Sequence, residues 1–226
     1  MLSGLISPAR SSLSPPKYSA DMRLRHLEMT LQKLSGFPSP KPALEQYATP
    51  AEVAARLLFH AAGEGAIEGQ RVLDLGCGTG ILSCGARLLD AAMVAGIDCD
   101  RGALRVAQEN ARSLDIEVAL IRGEVGPAFP LRTDSFDTVV MNPPFGAQQR
   151  HADRPFIDCA ITAAPVIYGI FNAGSRPFVE RYIEGRAGIT AAVGGAFTIP
   201  RTFAFHRRER MDIPVEILKI ERESPC

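Results

Sequence analysis

The chain has 226 residues, with 25 Lys and Arg against 25 Asp and Glu, and 46% of it is hydrophobic. That length suits one domain, or one domain with short extensions, and zero net charge argues against a non-specific coat on nucleic acid while leaving a local basic patch open. No apolar run is long enough to span a bilayer. Cys77, Cys84, Cys99, Cys159 and Cys226 lack zinc-ligand spacing, so no metal site is predicted and reduced thiols in a cytoplasmic protein are expected.

Met1 to Ala20 are rich in Ser and Pro and contain no acid. Residues 1–21 therefore read as a disordered extension ahead of a single domain over 22–226. Such a start also resembles an organellar transit peptide, and Met22 is an alternative initiation point. Leu24, Leu27, Leu31 and Leu34 then share one face of a helix. A loop from Gly36 to Pro42 breaks it and continues to Thr49. Thr49-Pro50-Ala51-Glu52 predicts a helix start, with Thr49 as N-cap and Pro50 at the first helical position.

Strands and helices alternate from here. Strands are predicted over Arg71–Leu75, Met93–Asp98, Ile116–Ile121, Phe136–Met141 and Val166–Phe171. Helices are predicted over Gly80–Leu89, Arg101–Ser113, Asp153–Ala164 and Arg176–Gly185. Two longer strands, Ile189–Ile199 and Ile213–Ile220, close the chain. The pattern is an α/β, Rossmann-like, doubly wound sheet of seven strands, mostly parallel with a late antiparallel strand.

Asp74-Leu75-Gly76-Cys77-Gly78-Thr79-Gly80 is a strand end running into a glycine-rich turn and then a helix. Glycines let backbone turn tightly and approach a ligand closely. Asp98 ends the next strand, where an acid can hold a ribose hydroxyl pair. A dinucleotide fingerprint needs its third glycine one residue later than Gly80. Asp74 before the loop would repel a pyrophosphate, yet it favours the ammonium and sulfonium cations of S-adenosyl-L-methionine (SAM). SAM is therefore preferred over a nicotinamide dinucleotide. Glu124 is placed to accept from an adenine amino group, and Val125 to offer its backbone N–H to the same ring. Ile81 would pack on the ligand or the sheet.

Asn142-Pro143-Pro144-Phe145 follows the fourth strand directly. Asn142 offers an amide oxygen to an –NH2 group. Pro143 and Pro144 fix the backbone and leave their carbonyls free to accept. Phe145 offers a π-face for a base, with Phe37 or Tyr47 available for the other face. His151, in the loop beyond, carries no recognisable role.

These motifs together resemble class I SAM-dependent amino-group methyltransferases. Glu45-Gln46-Tyr47-Ala48-Thr49, the glycine loop, Asn142 to Gly146 and the late Phe205-His206 with its basic followers resemble, more narrowly, the methyltransferase-like ribosomal RNA adenine-N6 methyltransferases. The resemblance covers about Met22 to Glu221. It implies SAM contacts from Gln46, Thr49, Gly76, Thr79, Ile81, Asp98, Glu124 and Val125, with Glu124 where that family often has Asp. It implies catalysis by the Asn-Pro-Pro-Phe segment and a heterodimer with a small zinc-ribbon activator protein along the sheet edge. Arg201, His206, Arg207, Arg208 and Arg210 would contact RNA phosphates. Alternative readings are an amino-group methyltransferase for protein glutamine or DNA, and a non-catalytic SAM-binding subunit.

Overall fold

The computed structural model describes residues 23–127, 129–146, 151–201 and 211–223, without side chains from 193 to 213. Residues 1–21 and the basic group His206, Arg207, Arg208 and Arg210 lie outside the described residues. Six helices are described: α1 (Leu24–Leu31), α2 (Ala51–Gly63), α3 (Ile81–Leu88), α4 (Arg101–Ser113), α5 (Arg154–Ala163) and α6 (Arg176–Ile183). The strands are β1 (Arg71–Leu75), β2 (Met93–Asp98), β3 (Ala119–Arg122), β4 (Thr138–Met141), β5 (Val166–Asn172), β6 (Ala187–Arg201) and β7 (Met211–Arg222).

They form one seven-stranded sheet in the order β3-β2-β1-β4-β5-β7-β6. The pairs among β1 to β5 are parallel. β7 runs antiparallel to both neighbours, β5 and β6. Period-2 alternation splits each central strand between two cores. Val72, Val94 and Val140 face a layer with α1, α2 and α3. Leu73, Leu75, Ile97, Val139 and Met141 face the other layer, with α5 and α6. Burial on both faces is what a parallel sheet requires.

Helix α1 follows its leucine pattern, with Leu27 and Leu31 fully buried. They reach the sheet layer because Gly85 lets α3 come close. A Cβ there would lie 2.3 Å from Leu58 Cδ1 and 3.4 Å from Leu31 Cδ1. On the same face, buried Tyr168 donates its hydroxyl to Glu64 Oε2 at 2.9 Å, and Lys219 Nζ meets the same oxygen at 2.5 Å. That contact ties the end of α2 to β5 and β7.

Two strands begin later than the apolar runs suggest. Ile116 N donates to Ala111 O and so closes α4, leaving β3 to start at Ala119. Asp137 N bonds Arg71 O, and its carboxylate takes Arg71 Nε and Nη2, so β4 starts only at Thr138. The predicted N-cap at Thr49 is also corrected. Pro50 occupies that position with no side-chain cap, and the Thr49 hydroxyl is turned away to Asn142. Among the described residues, no helix is long and apolar enough to cross a membrane.

Candidate active site

The carboxyl ends of β1, β2 and β4 converge on a cavity of about 290 Å³. Ligands bind at strand carboxyl ends in open α/β sheets. The floor is the turn after β1. Gly76, Gly78 and Gly80 have φ of +70°, +53° and +82°, a region that L-residues rarely adopt. The third opens α3, and a Cβ on it would lie 3.0 Å from Ala107 Cβ. Gly76, Gly78, Thr79 and Ile81 line the cavity. Phenyl rings cover the turn from above, Phe156 over Gly76 and Phe37 over Gly78, each about 2.8 Å from where a Cβ would stand.

Asp98, at the end of β2, also lines the cavity. Its Oδ2 accepts from Gly78 N at 2.9 Å and its Oδ1 from Asp100 N at 2.8 Å. Burial raises its pKa above the ordinary value despite these donors. Glu124 and Val125 follow β3 and line the same wall.

Asp74 does not reach the cavity. It is 1% exposed, and its Oδ2 accepts from Ser83 N at 2.9 Å and Ser83 Oγ at 2.5 Å. Ser83 lies in the first turn of α3, whose amides have no partner within the helix. The acid therefore caps α3 from β1. Burial pushes its carboxyl up to about 7. The predicted role as a cofactor-facing acid is thus corrected to one of holding the glycine turn.

A strap over residues 35–50 roofs the cavity. Asn110, buried on α4, accepts from Ser35 N and donates to Ser35 O and Thr79 O, all at 2.9 Å. Asp100 accepts from Lys41 Nζ at 2.8 Å and Gln46 Nε2 at 2.7 Å while capping α4 through Gly102 N at 3.0 Å. These donors, Lys41 first, hold the Asp100 carboxyl down at about 2. Gln46 lines the cavity, but its amide is engaged at both ends, since Oε1 takes Lys41 N at 2.8 Å. Asp100 and Asn110 were missed as site residues by sequence reading. The structure shows Asp100 as the N-cap of α4 and Asn110 among the buried positions Ala103, Val106, Ala107 and Ala111, and a cap-type residue directly before Arg101 is the signal the sequence holds.

Asn142, Pro143, Pro144 and Phe145 line the cavity at the end of β4. Asn142 Nδ2 donates to Thr49 Oγ1 at 2.8 Å. Its Oδ1 is buried with no hydrogen-bond partner among the described residues. A buried acceptor left open carries a desolvation penalty and marks a place for an incoming donor. Phe145 stacks on Tyr47, with centroids 6.4 Å apart and planes 12° from parallel. Sequence reading also missed Phe156 and gave no role to His151, both of which line the cavity. Among the described residues, no group of His, Cys, Asp and Glu is arranged to hold a metal ion.

A sheet ordered this way, with a glycine turn after β1, an acid ending β2 and an Asn-Pro-Pro-Phe segment after β4, defines a class I methyltransferase. Comparison with known proteins agrees. The profile of the Methyltransferase small domain matches residues 50–165. An uncharacterized protein of Methanocaldococcus jannaschii is 37% identical over 214 residues, covering 89% of this chain and 95% of that protein. The rRNA N(6)-adenosine-methyltransferase METTL5 of Danio rerio is 31% identical over 204 residues, covering 88% of this chain and 98% of that protein. The crystal structure of PH1948 from Pyrococcus horikoshii, 40% identical, superposes with a TM-score of 0.81 over 89% of this chain and 98% of that one. The chain belongs to the Methyltransferase small domain family, in the group that contains the METTL5 rRNA N(6)-adenosine-methyltransferases. The methyl donor of such an enzyme is SAM.

Proposed function

We propose that this enzyme methylates N6 of an adenine in ribosomal RNA. The observation that carries the reading is the fixed Asn142 amide, with Nδ2 spent on Thr49 and a buried Oδ1 left open. When bound, SAM supplies an electrophilic methyl group on its sulfonium. The cavity fits it: the turn at Gly76 and Gly78 lines it, Asp98 offers carboxylate oxygens for a ribose, and Glu124 with Val125 faces the same space. Gln46, Thr49, Thr79 and Ile81 complete the contacts.

The adenine amine is weakly nucleophilic because its lone pair is delocalised into the ring. Asn142 Oδ1 and the Pro143 carbonyl accept its two hydrogens and draw the nitrogen towards tetrahedral geometry. The lone pair would thereby be localised for N–C bond formation; transfer would break the sulfonium S–CH3 bond, leave the thioether as leaving group and release one amine proton to solvent. Positioning of this kind contributes roughly 7–11 kcal/mol in two-reactant steps. Phe145 is the stacking face for a base extruded from its neighbours. Its ring is already held parallel to Tyr47. His206, Arg207, Arg208 and Arg210 supply phosphate contacts.

Substrate choice follows the relatives. The Danio rerio and Drosophila melanogaster proteins, 31% and 33% identical over most of this chain, are named as rRNA N(6)-adenosine-methyltransferases. A zinc-ribbon activator is the proposed partner at the β3 edge. β3 is the outer parallel strand, and Ile121 on it and Met93 on β2 are each 42% exposed. Residues 22–226 form the proposed single domain. The free thiols of Cys77, Cys84, Cys99 and Cys159 suit the reducing cytoplasm.

The test is incubation with SAM and unmodified rRNA transcripts, with and without the activator, followed by nucleoside mass spectrometry. N6-methyladenosine is the expected product. Methyl label in protein, or in another nucleoside, would overturn the reading. Calorimetry should show saturable SAM binding by the same preparation.

A further inference from the structure

We propose that His151 is a stacking platform for a nucleobase next to the target adenine. The RNA strand would leave the pocket mouth along a ladder of rings made by His151, ahead of α5, and two residues of α6. This inference rests on the proposed action on RNA.

Three rings follow one another outward from the cavity. His151 lines the cavity and stacks on Phe178, with centroids 6.3 Å apart and planes 20° from parallel. Phe178 stacks in turn on Tyr182 at 5.7 Å and 21°. The Arg154 guanidinium carbon lies 5.4 Å from the Phe178 centroid and 5.1 Å from that of Tyr182. Packing accounts for Phe178 and Tyr182, which are half-buried against the core beneath α6. Packing does not account for His151. Its side chain is exposed, and its backbone sits at φ +67°, where a residue with a Cβ is disfavoured.

An exposed ring covered on one face by Phe178 offers the other. Every nucleobase has a π-face, and single-stranded RNA is read by stacking on aromatic and guanidinium planes. Guanidinium groups extend the ladder, with Arg154 over Phe178 and Tyr182 and Arg186 over Tyr182 at 5.1 Å. Arg176 is engaged with Glu180 at 2.9 Å and Arg186 with Asp158 at 2.7 Å. Arg154 Nε is buried with no hydrogen-bond partner among the described residues, and its guanidinium serves the ladder by covering the faces of Phe178 and Tyr182. His151 and Asn142 line one cavity, so a base next to an adenine held by Asn142 can reach the exposed ring.

The experiment begins with wild-type enzyme, rRNA transcripts and mapping of the methylated adenine. A short single strand spanning that adenine, with its flanking bases intact or abasic, is the binding probe. His151→Gly removes the ring and suits the backbone, and His151→Phe keeps a ring. RNA affinity by fluorescence anisotropy should fall about 10-fold in His151→Gly and stay near wild type in His151→Phe. An abasic flank should weaken wild type equally and add nothing in His151→Gly. SAM affinity by calorimetry should be unchanged in both variants. The inference is overturned if His151→Gly binds like wild type, if His151→Phe is as weak as His151→Gly, or if the two losses add. Absence of any methylated adenine with wild type would instead overturn the proposed function, and this inference with it.

Discussion

At the scale of the residue, Asn142 is defined by what its two amide atoms do. One is tied to Thr49 and the other is kept for the substrate. Thr49→Val should therefore leave Nδ2 without its acceptor and loosen the amide. A drop of about 10-fold in kcat is expected, measured by single-turnover methylation. Unchanged kcat would mean that the amide is oriented by something else. Gly78→Ala should lower SAM affinity and stability by roughly 1–2 kcal/mol, read by calorimetry and thermal melting, because φ is +53° and Phe37 occupies the Cβ position. A SAM affinity and melting point equal to wild type would remove the glycine turn from the account. The motif residues were legible because their types are chemically uncommon at strand ends. The Thr49 partnership was not, since the two residues are 93 apart in sequence. Asp74 was misread for a related reason. An acid at a strand end looks the same in sequence whether it faces a ligand or a neighbouring helix.

At the scale of the element, the strap over 35–50 and helix α3 hold the cavity's shape. Asp100→Ala removes the acceptor for both Lys41 and Gln46 and the cap of α4. SAM affinity should fall about 10-fold, with faster hydrogen exchange over 41–47, since bonds to a charged acceptor are worth roughly 1.5–3 kcal/mol. Slow exchange equal to wild type would show that the strap is held by other contacts. Asp74 makes a pH prediction. Its folded pKa of about 7 lies above the ordinary carboxylate value. The unfolded chain thus releases this proton first, and stability is lost as pH rises from about 4 to 7. Asp74→Asn should flatten that part of the thermal stability profile. Parallel profiles for the two proteins would contradict the assignment. The helices and strands themselves were largely visible from apolar period and glycine punctuation. Their ends moved where local bonds intervened, as at Ile116 and Asp137. The strap was legible only as a proline-rich loop, because its order comes from α4.

At the scale of the whole molecule, the sheet places the site at one end and the largely exposed parallel edge strand β3 at one side. Exposed edges are usually covered or charged. Ile121→Lys on β3 should abolish copurification with a zinc-ribbon activator while leaving SAM binding near wild type. Retained copurification would move the partner elsewhere. The seven-stranded, mostly parallel sheet followed from the alternation of strands and helices, and the late antiparallel strand from its pattern, while the strand order came from the structure. Identity of the acceptor was not written in Asn142 to Phe145, which suit any planar amine. It comes from relatives that match nearly the full chain. The most direct measurement of the central claim pairs wild type with Asn142→Ala, both with SAM affinity determined, on unmodified rRNA with the activator present. Nucleoside mass spectrometry should find N6-methyladenosine with wild type and a loss of at least about 100-fold with Asn142→Ala, at SAM affinity within a few-fold. Equal N6-methyladenosine from both proteins, or a loss explained wholly by weaker SAM binding, would contradict the account.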